Sequence, residues 1–232
     1  MKIILSFVLA IFLMTATAYA EENPPIISVN GEGIVEVSPD RATISIGVIN
    51  RDKDVAKVQS QNAKIANDII NSVVSLGIDK KNIRTGNYTF KQIYRNDQNK
   101  RRVFEGYEVN NTVTIIVDNL NLVGKVIDTS LSHGANNVDS LVFGIRDKSS
   151  LQAEALKIAV RDAKTKAEVV VASLGKNIVG VRSVSINSGS VSAPRFAKLA
   201  MAMEDSANFE TPIESGTLSC SASVHIEFEI SR

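Results

Sequence analysis

The chain has 232 residues, with 26 Lys and Arg against 25 Asp and Glu and a formal net charge of +1. A nucleic-acid-binding protein normally carries a basic excess, so this charge balance argues against nucleic acid as a partner. Aromatic residues make up 5% of the chain and Trp is absent, so surfaces for stacking bases or sugars are also poorly supplied.

The N-terminal segment predicts a secretory signal peptide. Lys2 gives a basic start, Ile3–Met14 is apolar, and Ala18-Tyr19-Ala20 places small residues at the −3 and −1 positions of a cleavage site. The apolar run is shorter than the roughly 20 residues that a membrane-spanning helix needs. We therefore expect cleavage between Ala20 and Glu21, export, and a mature chain of residues 21–232.

The first half of the mature chain predicts four strands and one helix. Apolar and polar residues alternate over 27–37 and 42–48, on either side of Ser38-Pro39-Asp40, which predicts two strands joined by a turn. Helical spacing then runs from Asp54 to Leu76 and stops at Gly77. Strands are predicted at Asn82–Arg95 and Val103–Asp118, with a polar tip between them. The predicted buried stripe of the helix is Val55, Val58, Ile65, Ile69 and Val73, widened by Ala66, Ile70 and Val74.

The second half predicts two helices and three strands. Asp118 or Asn119 can cap a helix that ends at Gly134, and a strand follows at Val138–Arg146. Ser149-x-x-Gln152 is typical of a capping box, and it opens a helix that ends at Gly175. The last two predicted strands are Val179–Ile186 and Leu218–Ile230. The predicted buried residues are Leu120, Val123, Ile127 and Leu131 in the first of these helices, and Leu156, Val160, Ala163, Ala167, Val170 and Leu174 in the second.

This order of elements predicts an α+β fold of two α/β lobes, with largely antiparallel sheets and three main helices packed on them. One stretch, Ser188–Ser215, is long for a loop and includes a small-apolar run at Ala197–Met203. Methionine suits adaptable contacts between subunits. We therefore expect Leu199, Met201 and Met203 to contact a neighbouring subunit; the alternative is a free loop with no packing role.

The sequence offers no constellation of catalytic or metal-binding residues. Cys220 is the only cysteine, and its alternating context predicts a small strand residue, with an intermolecular disulfide as the alternative. His133 precedes the Gly134 stop, and His225 falls on the polar side of the last strand. Gly31-Glu32-Gly33 continues as strand rather than opening a helix, unlike a phosphate-binding loop. We expect no enzyme, metal or cofactor.

The mature chain resembles the SIMPL-domain family along nearly its whole length. The resemblance is carried by the order and spacing of several segments: Ile27–Gly33, Val37–Ala42, Leu76-Gly77-Ile78, Gly106–Asn111, Val142–Ile145 and Thr211–Gly216. Ser215-Gly216 departs from the Pro-Gly expected there, which affects only a turn. The resemblance implies an exported bacterial protein of the periplasmic immunogenic antigen type, also described as outer-membrane-associated.

The resemblance further implies a non-enzymatic envelope protein. Some such proteins assemble into homo-oligomeric rings or channel-like particles, and some are linked to oxidative-stress tolerance. The leading hypothesis is therefore a self-assembling periplasmic protein. The alternative is a small-ligand or stress-protective binding module, which would need a concave apolar pocket with convergent polar groups.

Overall fold

The computed structural model describes residues 24–187, 191–192 and 213–232. The predicted signal peptide, its cleavage site at Ala20 and Glu21, and the predicted subunit contacts Leu199, Met201 and Met203 lie outside the described residues. None of the described helices combines the length and the apolar character that crossing a membrane requires.

Three α-helices and eight strands make up the regular structure of the described residues. In chain order they are β1 (Ile26–Val37), β2 (Arg41–Asp52), α1 (Val55–Ser75), β3 (Ile83–Asn96), β4 (Arg102–Val117), α2 (Val123–Ser132), β5 (Asn137–Gly144), α3 (Lys148–Ser173), β6 (Ile178–Asn187), β7 (Val191–Ser192) and β8 (Leu218–Ile230). Single 3₁₀ turns at Lys80–Asn82 and Leu120–Leu122 precede β3 and α2.

The strands form two sheets. One has the order β1-β8-β6, with β7 also paired to β8, and the other has the order β3-β4-β2-β5. The strand pairs of known register are antiparallel, which confirms the predicted α+β class. β1 and β2 follow each other along the chain but belong to different sheets, so the Pro39 turn is a crossing between sheets and not a hairpin.

Contacts divide the described residues into two units. The first comprises 24–32, 159–187 and 223–232, and the second comprises 33–158, 191–192 and 213–222. The second unit holds an apolar core to which β2 and β4 contribute every second residue, as the sequence predicts. The core members from these strands are Ala42, Ile44, Ile46, Val113, Ile115 and Val117.

Helix α1 begins as predicted, because the Asp54 carboxylate accepts hydrogen bonds from the backbone N–H groups of Ala56 and Lys57. Its buried face is narrower than predicted: Val55 and Val74 are 38% and 39% exposed. Asn62 lies in that face instead, only 1% exposed, and it was not in the predicted stripe. Helix α2 likewise leaves the predicted core residue Leu131 exposed and buries Ser130.

Helix α3 differs from its prediction at its start and along its face. The capping group is Asp147, whose carboxylate accepts from Ser149 Oγ and the Ser150 N–H, so Ser149 is not the cap of a capping box. The buried positions recur every four residues along the helix, at Ala155, Ala159, Ala163, Ala167 and Val171. Val160, Val170 and Leu174, which were predicted to be buried, are 41%, 46% and 63% exposed, because the small side chains give the closest approach to the neighbouring sheet.

The predicted helix stops are confirmed by backbone conformation. Gly77, Gly134 and Gly175 have φ angles of 91°, 100° and 68°, in the left-handed region that favours glycine after a helix. Within the predicted 188–215 loop, Val191 and Ser192 form β7, which pairs with Cys220 and Ser219 of β8.

Candidate functional site

The cysteine and the two histidines each have contacts that fit a structural role. Cys220 is fully buried beside Ala155 and Ala222. His133 directly follows α2, and its Nδ1 donates to the Thr129 carbonyl oxygen at 2.8 Å. His225 is exposed on β8, and its Nδ1 lies 2.8 Å from Asn30 Oδ1. Among the described residues no group of three or more His, Cys, Asp or Glu side chains is arranged to hold a metal ion.

The most buried carboxylate in the second unit is Glu108, which the sequence pattern did not single out. Its side chain is 8% exposed and lies 2.7 Å from Arg51 Nε and 2.8 Å from Lys91 Nζ. The hydrogen bonds from Lys91 and Arg51 hold the pKa of Glu108 below its ordinary value. A general acid working near neutral pH needs a raised pKa, and the shift at Glu108 runs in the other direction.

Other resolved pKa shifts of carboxylates also run downwards. The Arg41 hydrogen bond lowers the pKa of Asp118, the Lys57 hydrogen bond lowers that of Asp52, and the Lys166 hydrogen bond lowers that of Asp162. Each of these groups is an ionised ion-pair partner near pH 7. The Asp118 and Asp52 pairs lie at strand ends, and the Asp162–Lys166 pair lies within α3. Because the paired side chains are partly exposed, each pair contributes little to stability.

The first unit holds a groove whose shape and composition differ from these polar clusters. One wall is the exposed side of α3, at Val160, Lys164 and Glu168. The floor is the sheet face formed by β6 and β8. The full apolar lining is Val160, Ile178, Val179, Val181, Val184, Ile226 and Phe228, and the volume is about 620 Å³. Its charged side chains are Lys164 and Glu168, whose charged atoms are 3.7 Å apart.

The floor of the groove is apolar because of the pleat of the paired strands. Val181 lies opposite Phe228, Val184 opposite Ile226, and Ile186 opposite Val224. The β8 members of these pairs are buried, whereas Val181, Val184 and Ile186 on β6 are 56%, 51% and 56% exposed. The buried face of the sheet therefore continues onto β6 without a covering layer.

Strand β6 is also an edge strand, since β8 is its sole partner among the described residues. Natural edge strands are usually blunted by lysines, prolines or short length. β6 is ten residues long and contains no Pro and one charged residue, Arg182. That residue is already engaged, because its guanidinium lies 3.4 Å from Glu229 Oε1 and donates to the Pro24 carbonyl oxygen at 2.9 Å.

The opposite face of the same strand pair is polar. Ser183 Oγ donates to Glu227 Oε2 at 2.8 Å, and His225 and Glu229 share that face of β8. An apolar groove and an open strand edge thus meet at one strand. The alternation of residues predicted β6 as a strand, yet it contained no signal that α3 would leave this strand uncovered.

The fold and the groove first define the class of protein: an α+β protein with two sheets of antiparallel strands, one of which carries an apolar groove. The chain belongs to the SIMPL family, described as a protein of unknown function (DUF541), whose model matches residues 27–228. The predicted family is thereby confirmed.

Individual relatives agree with this family. The 26 kDa periplasmic immunogenic protein of Brucella melitensis is 27% identical over 239 aligned positions, which cover 97% of this chain and 94% of the relative. The protein of the same name in Brucella abortus matches equally well. The uncharacterized protein YggE of Escherichia coli K12 is 26% identical over 182 positions, covering 78% of this chain and 74% of YggE.

Proposed function

We propose that this chain is an exported, non-enzymatic periplasmic protein that self-assembles into a homo-oligomer and contributes to envelope or oxidative-stress tolerance. Two observations support its location: the signal-like first twenty residues, and the word periplasmic in the names of the Brucella relatives. The observation that carries self-assembly is the uncovered apolar face of edge strand β6.

Burying the apolar face of β6 is favourable, because its side chains are exposed to water. The exposed aliphatic side chains Val179, Val181, Val184 and Ile186 are 51% to 62% exposed. Covering all four would contribute on the order of 4 kcal/mol, taking about half of the full burial value for each. Association costs at least about that much in lost translational and rotational freedom, so backbone hydrogen bonds along the open edge must add to the apolar gain. A second copy supplies both, because its own β6 is an equally open strand.

The test is the mass of the mature chain in solution. Multi-angle light scattering over a wide concentration range should give a defined multiple of the subunit mass. Val184→Glu puts a charge on the apolar face and should shift the particle towards monomer. The matched control is Val142→Glu, at a 57% exposed valine on the edge strand β5 of the other sheet, which should keep the wild-type mass.

Two results would contradict this proposal. A monomer at every concentration removes self-assembly. An oligomer that survives Val184→Glu but dissociates with Val142→Glu retains self-assembly and moves the interface from β6 to β5.

Leu199, Met201 and Met203 remain proposed as a second subunit contact. This contact can be tested by replacing part of the chain. Val191 and Ser192 pair with β8, and Ile213 packs against the core of the second unit, so the replaced segment should be limited to residues 193–212. Replacing that stretch with a short Gly-Ser linker should leave the sheets intact and reduce the particle mass. An unchanged mass would assign the contact to other residues.

A small-ligand binding module is the second candidate, and the groove itself favours it. A volume of about 620 Å³ with an apolar lining and an adjacent Lys164–Glu168 pair has the size and composition of a site for a small amphipathic molecule. An apolar fluorescent dye should then bind with a defined stoichiometry to assembled protein, and Val181→Glu should abolish that binding. Dye binding that is lost whenever the protein assembles would instead identify the groove as the subunit interface.

A further inference from the structure

The β3–β4 hairpin of the second unit extends beyond the sheet to which it belongs. Strand β2 pairs with β4 only as far as the partners Asp52 and Tyr107. Past that point the two strands pair with each other alone, from Ile93 with Gly106 to Asn96 with Arg102. The end of the hairpin is therefore a two-stranded ribbon, with both of its faces open.

An aromatic strip, defined by Phe90, Tyr94, Phe104 and Tyr107, lies along one face of the hairpin. Tyr94 and Phe104 belong to the ribbon, and Phe90 and Tyr107 to the adjoining part of the sheet. The ring centroids of Phe90 and Tyr107 are 5.4 Å apart in a stacked pair. Phe104 meets Tyr107 at 5.2 Å and Tyr94 at 5.9 Å, both edge to face. Three members of the strip, Phe90, Tyr94 and Phe104, remain 41% to 42% exposed. In a chain with 5% aromatic residues, this concentration on one hairpin is unusual.

Positive charge is concentrated at the same place. The ribbon, residues 93–106, contains four basic side chains and two acidic ones, Asp97 and Glu105, although the whole chain has a net charge of +1. Asp97 accepts from the backbone N–H groups of Asn99 and Arg101 within the turn. The Arg102 guanidinium lies 4.5 Å from the centre of the Tyr94 ring. Three further cations, Arg95, Lys100 and Arg101, take part in no ion pair among the described residues.

We propose that this ribbon docks on an anionic phospholipid surface, with the aromatic strip in the headgroup layer and the tip cations on lipid phosphates. A protruding ribbon cannot enclose a small ligand, so its partner must itself present a broad surface. The balanced charge of the whole chain argues against nucleic acid. Aromatic rings beside flexible Lys and Arg side chains are the combination found at membrane interfaces. This inference rests on the proposed export, which places the chain beside the envelope membranes.

The direct test is vesicle flotation with the purified mature chain. Vesicles of phosphatidylglycerol and phosphatidylcholine should carry the protein upwards at about 0.01 M salt, and pure phosphatidylcholine vesicles should not. At about 1 M salt, where charges are screened beyond about 3 Å, binding should fall at least tenfold. Absence of binding to phosphatidylglycerol at low salt would overturn the proposal.

Matched variants then locate the surface. Lys100→Gln combined with Arg101→Gln should weaken binding about tenfold or more, since each surface cation adds to attraction by anionic lipid. Phe104→Ser should weaken binding at both salt concentrations. The control combines Lys80→Gln with Lys148→Gln, which removes two exposed charges outside the hairpin and should leave binding near the wild-type level. Equal losses in the control and the hairpin variant would overturn the assignment.

Two parallel measurements distinguish lipid binding from self-assembly and from binding to an acidic protein. Light scattering on the same samples reports self-assembly. A monomeric protein that still binds vesicles would contradict the proposed homo-oligomer and leave the proposed lipid-binding surface in place. Labelled poly-glutamate tests an acidic polypeptide as the partner. Binding to poly-glutamate without binding to vesicles would overturn the lipid proposal in favour of an acidic protein segment.

Discussion

Gly31 of β1 lies directly against Ala163 of α3: a Cβ built on Gly31 would stand 2.7 Å from the Cβ of Ala163, and it would also meet the Ala159 carbonyl oxygen. Real side chains do not approach so closely. The alanine series of α3 and the glycine of β1 therefore form one close-packed contact within the first unit. This contact gives Gly31 a structural reason to be glycine, as its place within a predicted strand indicated.

Gly31→Ala should destabilise the protein by about 1–3 kcal/mol, because the added methyl group meets backbone and not a flexible side chain. Urea unfolding followed by circular dichroism measures the change in midpoint. Gly144→Ala is the matched control, since a Cβ there would meet nothing within 4 Å. If the two variants unfold at the same urea concentration, the close approach of α3 to β1 is not a constraint.

The alternation of β1, β2, β4 and β8 and the three glycine stops could be read from the sequence because period-two burial and left-handed glycines are local properties. The buried face of α3 could be predicted only in part. Ala163 and Ala167 were predicted to be buried and are, whereas Val160 and Val170, which have the apolar character expected of a core face, are exposed. Ala159, outside the predicted stripe, is buried at the close approach to Gly31. Apolar residues in a sequence identify the stripe of a helix that can be buried. How large a side chain fits at each position depends on the element that packs against the helix.

The apolar face of β6 and the aromatic strip were harder to predict from the sequence than the strands to which their residues belong. Val181 and Val184 are ordinary strand residues in the sequence, and their significance depends on β6 being an edge strand that α3 does not cover. The aromatic strip likewise arises from register, because Tyr94 lies opposite Phe104 only through the irregularity between Ile93 and Tyr94. Sheet order and register are long-range properties that a single sequence does not display.

Cys220→Ser and His225→Ala should leave the protein folded and its particle mass unchanged. His225 is exposed, and its interaction with Asn30 is a surface one. Cys220 is fully buried, so the serine hydroxyl should lower stability by about 1–2 kcal/mol without unfolding the chain. Loss of mass after Cys220→Ser under oxidising conditions would contradict this expectation and favour the alternative of an intermolecular disulfide.

Asn62 holds a polar position inside the core of the second unit. Its Nδ2 donates to the Val48 carbonyl oxygen at 3.0 Å and to Asn50 Oδ1 at 3.1 Å. Asn62→Ala should therefore cost about 1–3 kcal/mol. Asn62→Asp should cost more at pH 7, because the new carboxylate faces two oxygens and cannot donate to them when ionised. Urea midpoints should converge towards those of Asn62→Ala as the pH falls and the carboxyl is protonated; a pH-independent difference contradicts the assigned donor role.

Glu108 should make a contribution to stability that depends on pH. The hydrogen bonds from Lys91 and Arg51 lower the pKa of Glu108 from its ordinary value of 4.5. A carboxyl group with a lowered pKa in the folded state stabilises that state above its ordinary pKa, and the stabilisation disappears as the pH falls through the lowered value. Glu108→Gln should therefore lower the free energy of unfolding by about 1–2 kcal/mol at pH 7. This value allows for solvent screening, because Arg51 and Lys91 are 66% and 62% exposed.

The pH dependence of this loss separates an ionic cause from a packing one. The difference in unfolding free energy between the wild type and Glu108→Gln should shrink as the pH is lowered below about 4.5, because protonation then removes the same charge from the wild type. Glu154→Gln is the control: its partner Lys157 is 3.4 Å away and 70% exposed, and no measurable loss is expected. A Glu108→Gln deficit that stays constant from pH 7 down to pH 3 would mean that the side chain acts through shape and neutral hydrogen bonds, and that its charge contributes nothing.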